Sequence, residues 1–173
     1  DSGKVLRFHD PRRFGSILWV GEDLANSKLL KNLGPEPFDE TLKGAALYRV
    51  SRGRKTSIKQ FIMDGRVIVG VGNIYASEAL FRAKIRPGRA AGRVTLSRFG
   101  QLLDAIRQVL SEAIKAGGTT LRDYSRVTGE PGYFEQSLDV YERAGRPCVN
   151  CAAAIRRKVI GQRASYYCPR CQI

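Results

Sequence analysis

Between Thr95 and Gly117 the apolar residues Phe99, Leu102, Leu103, Ile106, Val109, Leu110, Ala113 and Ile114 recur every three or four positions. That spacing predicts one buried face of an amphipathic helix, which Gly117-Gly118 terminates. Shorter helical patterns precede it. One runs over Leu24–Leu33 and stops at Gly34-Pro35-Glu36-Pro37. Another runs from Asp39, read as its N-cap, to about Ser51, and Thr56 is expected to open a third at SIKQFIM. A fourth spans Asn73 to Arg82, with Pro87 beyond its end.

The period changes at both ends of the chain. Val5–Phe8 and Ser16–Val20 read as two strands joined by HDPRRFG. A lone hairpin is marginal in water, so these strands are expected to belong to a larger sheet and the sequence to start inside an N-terminal β domain. Near the other end, Ala153–Ile160 and Arg163–Tyr167 predict a hairpin turning at Gly161-Gln162. Residues 119–140 have weak periodicity and scattered Gly, Pro, Thr and Tyr, as in a long functional loop. No internal repeat or low-complexity tract is present.

Composition narrows the function. Thirty Lys and Arg against sixteen Asp and Glu give a formal charge of +14 in 173 residues. That excess points to a polyanion, nucleic acid first. Arginine supplies 21 of the 30 cations, which suits bidentate phosphate contacts. A merely high-pI housekeeping protein would show the same charge. No apolar run approaches the roughly 20 residues of a membrane span, and no signal-peptide core is visible.

The strongest chemical signal is Cys148-x2-Cys151 followed by Cys168-x2-Cys171. This spacing fits a four-cysteine zinc site, closed and therefore structural. A redox dithiol is the alternative, which two matched pairs disfavour. Residues 143–173 carry seven basic residues and no acidic one. Arg163 falls at the expected hairpin tip, where it could clamp phosphates or simply be solvated. In VGVGNIYASEALF, Gly70 and Gly72 let backbone amides approach a ligand, and Asn73 is expected to cap the next helix. An ordinary capped helix would look the same. Upstream, Arg52, Arg54, Lys55 and Lys59 extend a possible phosphate track. HDPRRFG could present arginine and phenylalanine as a wedge into a duplex, or bury one phenylalanine in a plain turn. His9 is the sole histidine, so a multi-histidine metal site is ruled out within this sequence.

Taken in order, DPRRFG, LGPEP, KTSIKQFIMD, VGVGNIYASEALF, GGTTLRDY, GEPGYF, VYERAGRPC and GQRASYYCPRC resemble the formamidopyrimidine-DNA glycosylases over essentially the whole chain. VGVGNIYASEALF and the QRA-x-YYC stretch favour this branch over its sister, endonuclease VIII. The resemblance implies an α+β protein: residues 1–22 as the end of a catalytic N-terminal β-sandwich, 23–142 as a helix–two-turn–helix DNA-binding domain, and 143–173 as a zinc-ribbon finger holding one structural Zn2+. It further implies a monomeric bacterial base-excision repair enzyme, cytoplasmic and nucleoid-associated, acting on duplex DNA with an oxidised purine or an abasic site. Such enzymes flip 8-oxoguanine or formamidopyrimidines out of the helix, cleave the glycosidic bond and nick the strand by β- and δ-elimination.

By the same resemblance Arg12 faces the orphaned cytosine and Phe14 props the unstacked step. Asn73 and Lys59 hold phosphates, and the loop around Arg126, Val127, Thr128 and Tyr133 closes over the flipped base. Arg163 grips the flanking phosphates. A proton-donor role for Arg163 in δ-elimination fits poorly with a guanidinium pKa above about 12. Family members begin with Pro-Glu, whose proline amine is the nucleophile, assisted by the glutamate and a lysine of the N-terminal domain. This sequence begins with Asp1, so the 173-residue stretch is expected to be inactive by itself. The competing readings are a non-catalytic zinc-ribbon DNA-binding module and an enzyme acting on oxidised pyrimidines.

Overall fold

The apolar stripe after Thr95 forms the longest helix of the computed structural model, α4 (Leu96–Lys115). Residues 29–117 and 138–173 are described, together with 3, 5, 8, 10, 15–19, 21 and 27. The Thr95 hydroxyl caps α4 by accepting the Arg98 amide. Phe99, Leu102, Leu103, Ile106, Val109, Leu110 and Ala113 are buried, whereas Ile114 is exposed because the last turn runs past the core. Each fully buried Leu, Ile or Phe contributes roughly 1.5–3 kcal/mol relative to exposure, so this stripe is the spine of the helical body.

Two helices pack directly on that spine, α1 (Gly44–Ser51) and α3 (Asn73–Arg82). The α1 contact depends on Gly44, where a Cβ would lie 2.5 Å from the Gly100 nitrogen. Phe99 collects the edges of Tyr48 and of Phe61 on the short α2 (Ile58–Ile62), with centroids 6.3 and 5.9 Å away. Arg82 joins α3 to Glu112 of α4 at 2.7 Å.

Two helix starts and one N-cap differ from the sequence expectation. Asp39 does not cap α1, which begins after Lys43. The Asp39 carboxylate instead accepts the Thr41 amide and hydroxyl, and Arg107 takes the carbonyls of Pro37, Asp39 and Leu42. These bonds compete with a helical ladder and hold the segment as turns. Ser57, not Thr56, caps α2 through the Gln60 amide. Asn73 is the first residue inside α3, with Gly72 as its N-cap.

The C-terminal part is a two-stranded antiparallel sheet, β1 (Arg156–Ile160) with β2 (Arg163–Tyr167), in the register Arg156↔Tyr167 to Ile160↔Arg163. β1 is shorter than expected, because Pro147 bridges Ala154 before the strand begins. Gly161 (φ 55°) and Gln162 (φ 62°) turn the chain in the left-handed region, as a type I′ hairpin requires. Phe81, Val140, Cys148, Ile155 and Cys168 form a small core beneath the sheet, separate from the helical core.

Residues 1–32 form a unit of their own. Of the expected hairpin, Val5, Phe8 and residues 16–19 are described and lie outside any strand, while 6, 7, 9, 11–14 and 20 lie outside the described residues. Ile17, Leu18 and Trp19 are exposed. The Asp10 carboxylate accepts the Gly15 amide. Of the expected helix over 24–33, positions 29–32 are turns, with the Ser27 carbonyl accepting the amides of Leu30 and Lys31. No helix among the described residues is long and apolar enough to cross a membrane.

Candidate functional site

Two knuckles bring the four cysteines together. In the first, the Cys148 amide donates to the Ala153 carbonyl and the Ala152 amide to the Cys148 carbonyl, both at 2.9 Å. In the second, the Cys171 amide donates to the Cys168 sulfur at 3.4 Å. All four sulfurs lie within 4.8 Å of one another, with Cys148–Cys171 at 3.9 Å and Cys151–Cys168 at 3.5 Å. A tetrahedral ion with Zn–S bonds of about 2.3 Å needs sulfurs about 3.8 Å apart, so the cluster fits zinc. Burial raises the Cys168 thiol, but the Cys171 and Arg170 amides and neighbouring thiols outweigh it and bring it down to about 7. Burial and the crowded thiols push Cys171 up to about 12. With all four positions taken by thiolates, the zinc is structural and ties the end of the chain down.

The finger and the segment leading into it are fastened to the helical body at three places. Gln172, fully buried, accepts the Cys168 amide at 2.8 Å and donates to the Ile85 carbonyl at 2.9 Å. Glu78 on α3, also fully buried, accepts three consecutive amides, those of Asp139, Val140 and Tyr141, at 2.9–3.0 Å. Burial pushes its carboxyl pKa up and these amides oppose the shift. Lys59 is 1% exposed, and its ammonium donates to the Ala164 carbonyl at 2.9 Å and the Ser165 hydroxyl at 2.8 Å. Desolvation, then the nearby Arg163 charge, lowers Lys59 to about 8.

Two of the three Lys59 ammonium donors are thus committed to the hairpin, so the residue positions β2, and it lines a cleft together with Arg163. Arg163, by contrast, is exposed where β2 leaves the Gly161-Gln162 turn. Asn73 opens α3 with its Nδ2 donating to the Tyr141 hydroxyl at 3.3 Å, while its buried Oδ1 has no partner among the described residues. Tyr141 meets the Tyr166 ring of β2 edge-on at 5.0 Å. A chain of contacts thus runs from the α3 N-terminus to the strand that carries Arg163.

Of the other candidate cations, Arg52 is structural: it donates to the carbonyls of Tyr48, Gly92 and Val94 and stacks on Tyr48 at 3.8 Å. Arg54 is exposed, bonded to the Val50 carbonyl at 3.1 Å and 5.7 Å from the Phe61 centroid. Arg12, Phe14, Arg126, Val127, Thr128 and Tyr133 lie outside the described residues. Sequence reasoning missed Glu78, Tyr141 and Gln172. Glu78 carries a faint signal as a lone acid within the mostly apolar ASEALF, whereas the other two resemble any surface Tyr or Gln.

Comparisons with known proteins assign this architecture. The formamidopyrimidine-DNA glycosylase H2TH domain matches residues 33–125, and the zinc finger found in FPG and IleRS matches residues 145–173. A formamidopyrimidine-DNA glycosylase of Alcanivorax borkumensis is 58% identical over 172 residues, covering 99% of this chain and 64% of its own length. One from Syntrophotalea carbinolica is 59% identical with the same coverage. The crystal structure of the MutM (Fpg) protein from Thermus thermophilus superposes with a TM-score of 0.85 at 41% identity, over 95% of this chain and 63% of that one. A Lactococcus lactis Fpg solved with abasic-site DNA gives 0.80 at 32% identity, over 88% and 56%. The chain therefore spans somewhat less than two thirds of these relatives. With the helical body and the zinc finger matched in order, and such identity along nearly its whole length, the chain belongs to the formamidopyrimidine-DNA glycosylase family.

Proposed function

We propose that the protein is a base-excision repair glycosylase for oxidised purines, with β,δ-elimination lyase activity, and that these 173 residues supply its DNA-binding half. The observation that carries this reading is Arg163, exposed at the hairpin turn while Lys59 and the zinc hold its strand rigid. A guanidinium fixed in this way can clamp phosphates beside an extruded nucleotide with little ordering cost. The first amides of α3 have no side-chain cap, and they add an anion site beside Asn73. Arg54 lengthens the basic surface. Residues 1–22 are read as part of a β-sandwich, whose remaining strands would cover Ile17, Leu18 and Trp19. Arg12 and Phe14 would occupy the space left by the flipped base, and the loop of Arg126, Val127, Thr128 and Tyr133 would close over it.

Binding is tested by anisotropy with duplexes carrying 8-oxoguanine, an abasic analogue or no lesion. Preference for the first two is expected, with log K falling by about 0.9 per log salt for each phosphate neutralised. Equal, salt-insensitive binding would contradict the proposal. Borohydride trapping separates enzyme from binding module. The whole protein is expected to crosslink to 8-oxoguanine duplex and the 173-residue stretch alone is not; absence of any crosslink from the whole protein would leave a DNA-binding module.

A further inference from the structure

Behind the hairpin tip a cavity of about 360 Å³ opens between β1–β2 and the loop joining α3 to Ala91–Arg93. Its floor includes Pro87, Ile160 and Tyr167, and its rim carries Arg86, Arg89 and Lys158. Arg163 is not among its lining residues. None of the three cations makes an ion pair among the described residues. Lys158 and Arg86 are exposed, and the Arg86 guanidinium sits 5.6 Å from the Tyr167 ring centroid. Ile173 also lines the cavity, its oxygen accepting the Arg86 amide and the Arg98 guanidinium at 3.3 Å, and the three cations brought together there repel one another.

The loop is held from two sides. The Pro87 and Arg89 carbonyls accept the Lys59 and Ile58 amides at 3.2 and 2.7 Å. The Arg86 amide donates to the Ile173 carbonyl at 3.3 Å, and the Ile173 amide returns to Lys84 at 3.2 Å. The pocket is therefore formed before any ligand arrives, which lowers the cost of binding. Gly88 lines the cavity beside Ile160, where a Cβ would make ordinary contact at 3.7 Å.

From this arrangement we infer that the groove between the zinc hairpin and the Arg86–Arg89 loop is a second anion site, built for a nucleoside monophosphate unit. Its phosphate lies among Arg86, Arg89 and Lys158, and its base lies flat on the Pro87–Ile160 floor beside Tyr167. A simple anion would leave that apolar floor unused, whereas a planar base buries it and can also stack on the guanidinium. The cavity has the size of a small-ligand site. The unit can come from a free nucleotide or from the phosphorylated end of a DNA strand, and both present the same chemistry.

The test is an NMR titration of the zinc-loaded protein with dAMP, deoxyadenosine, inorganic phosphate and a 5′-phosphorylated single-stranded oligoadenylate. The amides of Gly88, Lys158 and Ile160 are expected to shift with dAMP, and the nucleoside and phosphate alone to bind about tenfold more weakly or worse. A tighter oligonucleotide assigns the site to strand ends; equal affinity assigns it to free nucleotides. Lys158→Ala, which removes a rim side chain, and Arg89→Ala, which also gives up a 3.4 Å bond to the Arg93 carbonyl but keeps the loop's main-chain bonds, should each weaken dAMP by about tenfold, while Arg163→Ala should not. Phosphate binding as tightly as dAMP, shifts confined to Asn73 and Arg163, or no shift at about 10 mM ligand would overturn the inference. Lesion-duplex affinity is read separately by anisotropy, so failure here leaves the repair proposal standing.

Discussion

The Lys59 ammonium donates to the Ser165 hydroxyl at 2.8 Å across 106 positions of sequence, joining α2 to the strand that bears Arg163. Replacing it by methionine keeps most of the buried volume but removes the donor to the Ala164 carbonyl and leaves the Ser165 hydroxyl with its bond to the Arg163 carbonyl alone. Leaving buried polar groups unpaired costs about 1–3 kcal/mol, partly offset because methionine carries no charge to desolvate. We expect Lys59→Met to lower stability by about 1 kcal/mol at neutral pH and to accelerate amide exchange along 163–167. Zinc content should be unchanged. Exchange rates identical to the parent protein would show that the zinc alone fixes the strand.

The same residue imposes a pH dependence. Lys59 titrates at about 8 in the folded protein and at 10.5 in an unfolded chain. Between those values only the unfolded chain holds the proton, so stability from this group rises with pH. Below about 8 both states are protonated and the contribution is flat at its lowest level. Urea unfolding of parent and Lys59→Met, compared at several pH values, should give a difference that grows in the parent's favour from about pH 8 upward. A difference that is constant or shrinks over that range would refute the assignment.

Arg163 and the zinc can be separated by substitution. Arg163→Ala removes an exposed side chain at the hairpin turn, so zinc should stay bound. Affinity for lesion duplex should fall by about tenfold or more, and the salt slope by about 0.9. Release of zinc from this variant would make Arg163 a structural residue and remove the central support for the DNA-binding proposal.

Chelation acts in the opposite order. The finger itself contributes only Cys148, Ile155 and Cys168 to the small buried core, and zinc-finger peptides draw about 10–16 kcal/mol of folding energy from the metal. Removing zinc should abolish amide protection over 145–173. The helical far-UV signal should survive, because the α1–α4 core is a separate cluster. Loss of both together would mean that the helical body needs the finger.

The pattern of residues made the rigid parts legible. The α4 stripe, the span of α3 and the four cysteines each follow from a strict local period or spacing. The helix starts at Asp39 and Thr56 were misplaced because side chains distant in sequence, or one position away, decide them. Arg107 lies 70 positions from Pro37, whose carbonyl it holds. Lys59 was legible as a cation but not as a buried one, since the hairpin that encloses it is more than a hundred residues downstream.

Glu78 is the least legible and most consequential of these long-range contacts. Its carboxylate accepts the amides of Asp139, Val140 and Tyr141, which lead the chain into the finger and set the Tyr141 hydroxyl against Asn73. Glu78→Ala would bury three unpaired donors, and we expect a loss of about 3–5 kcal/mol. Glu78→Gln keeps one oxygen but turns an NH2 toward an amide, for a loss of about 1–3 kcal/mol. Neither change touches a cysteine, so both variants should hold zinc. Both should also lose lesion-duplex affinity, since Tyr141 no longer braces Asn73 and Tyr166. Urea titration, zinc content and anisotropy on the two variants decide it: an alanine variant as stable as the parent would show that the neck between helices and finger is held by other bonds.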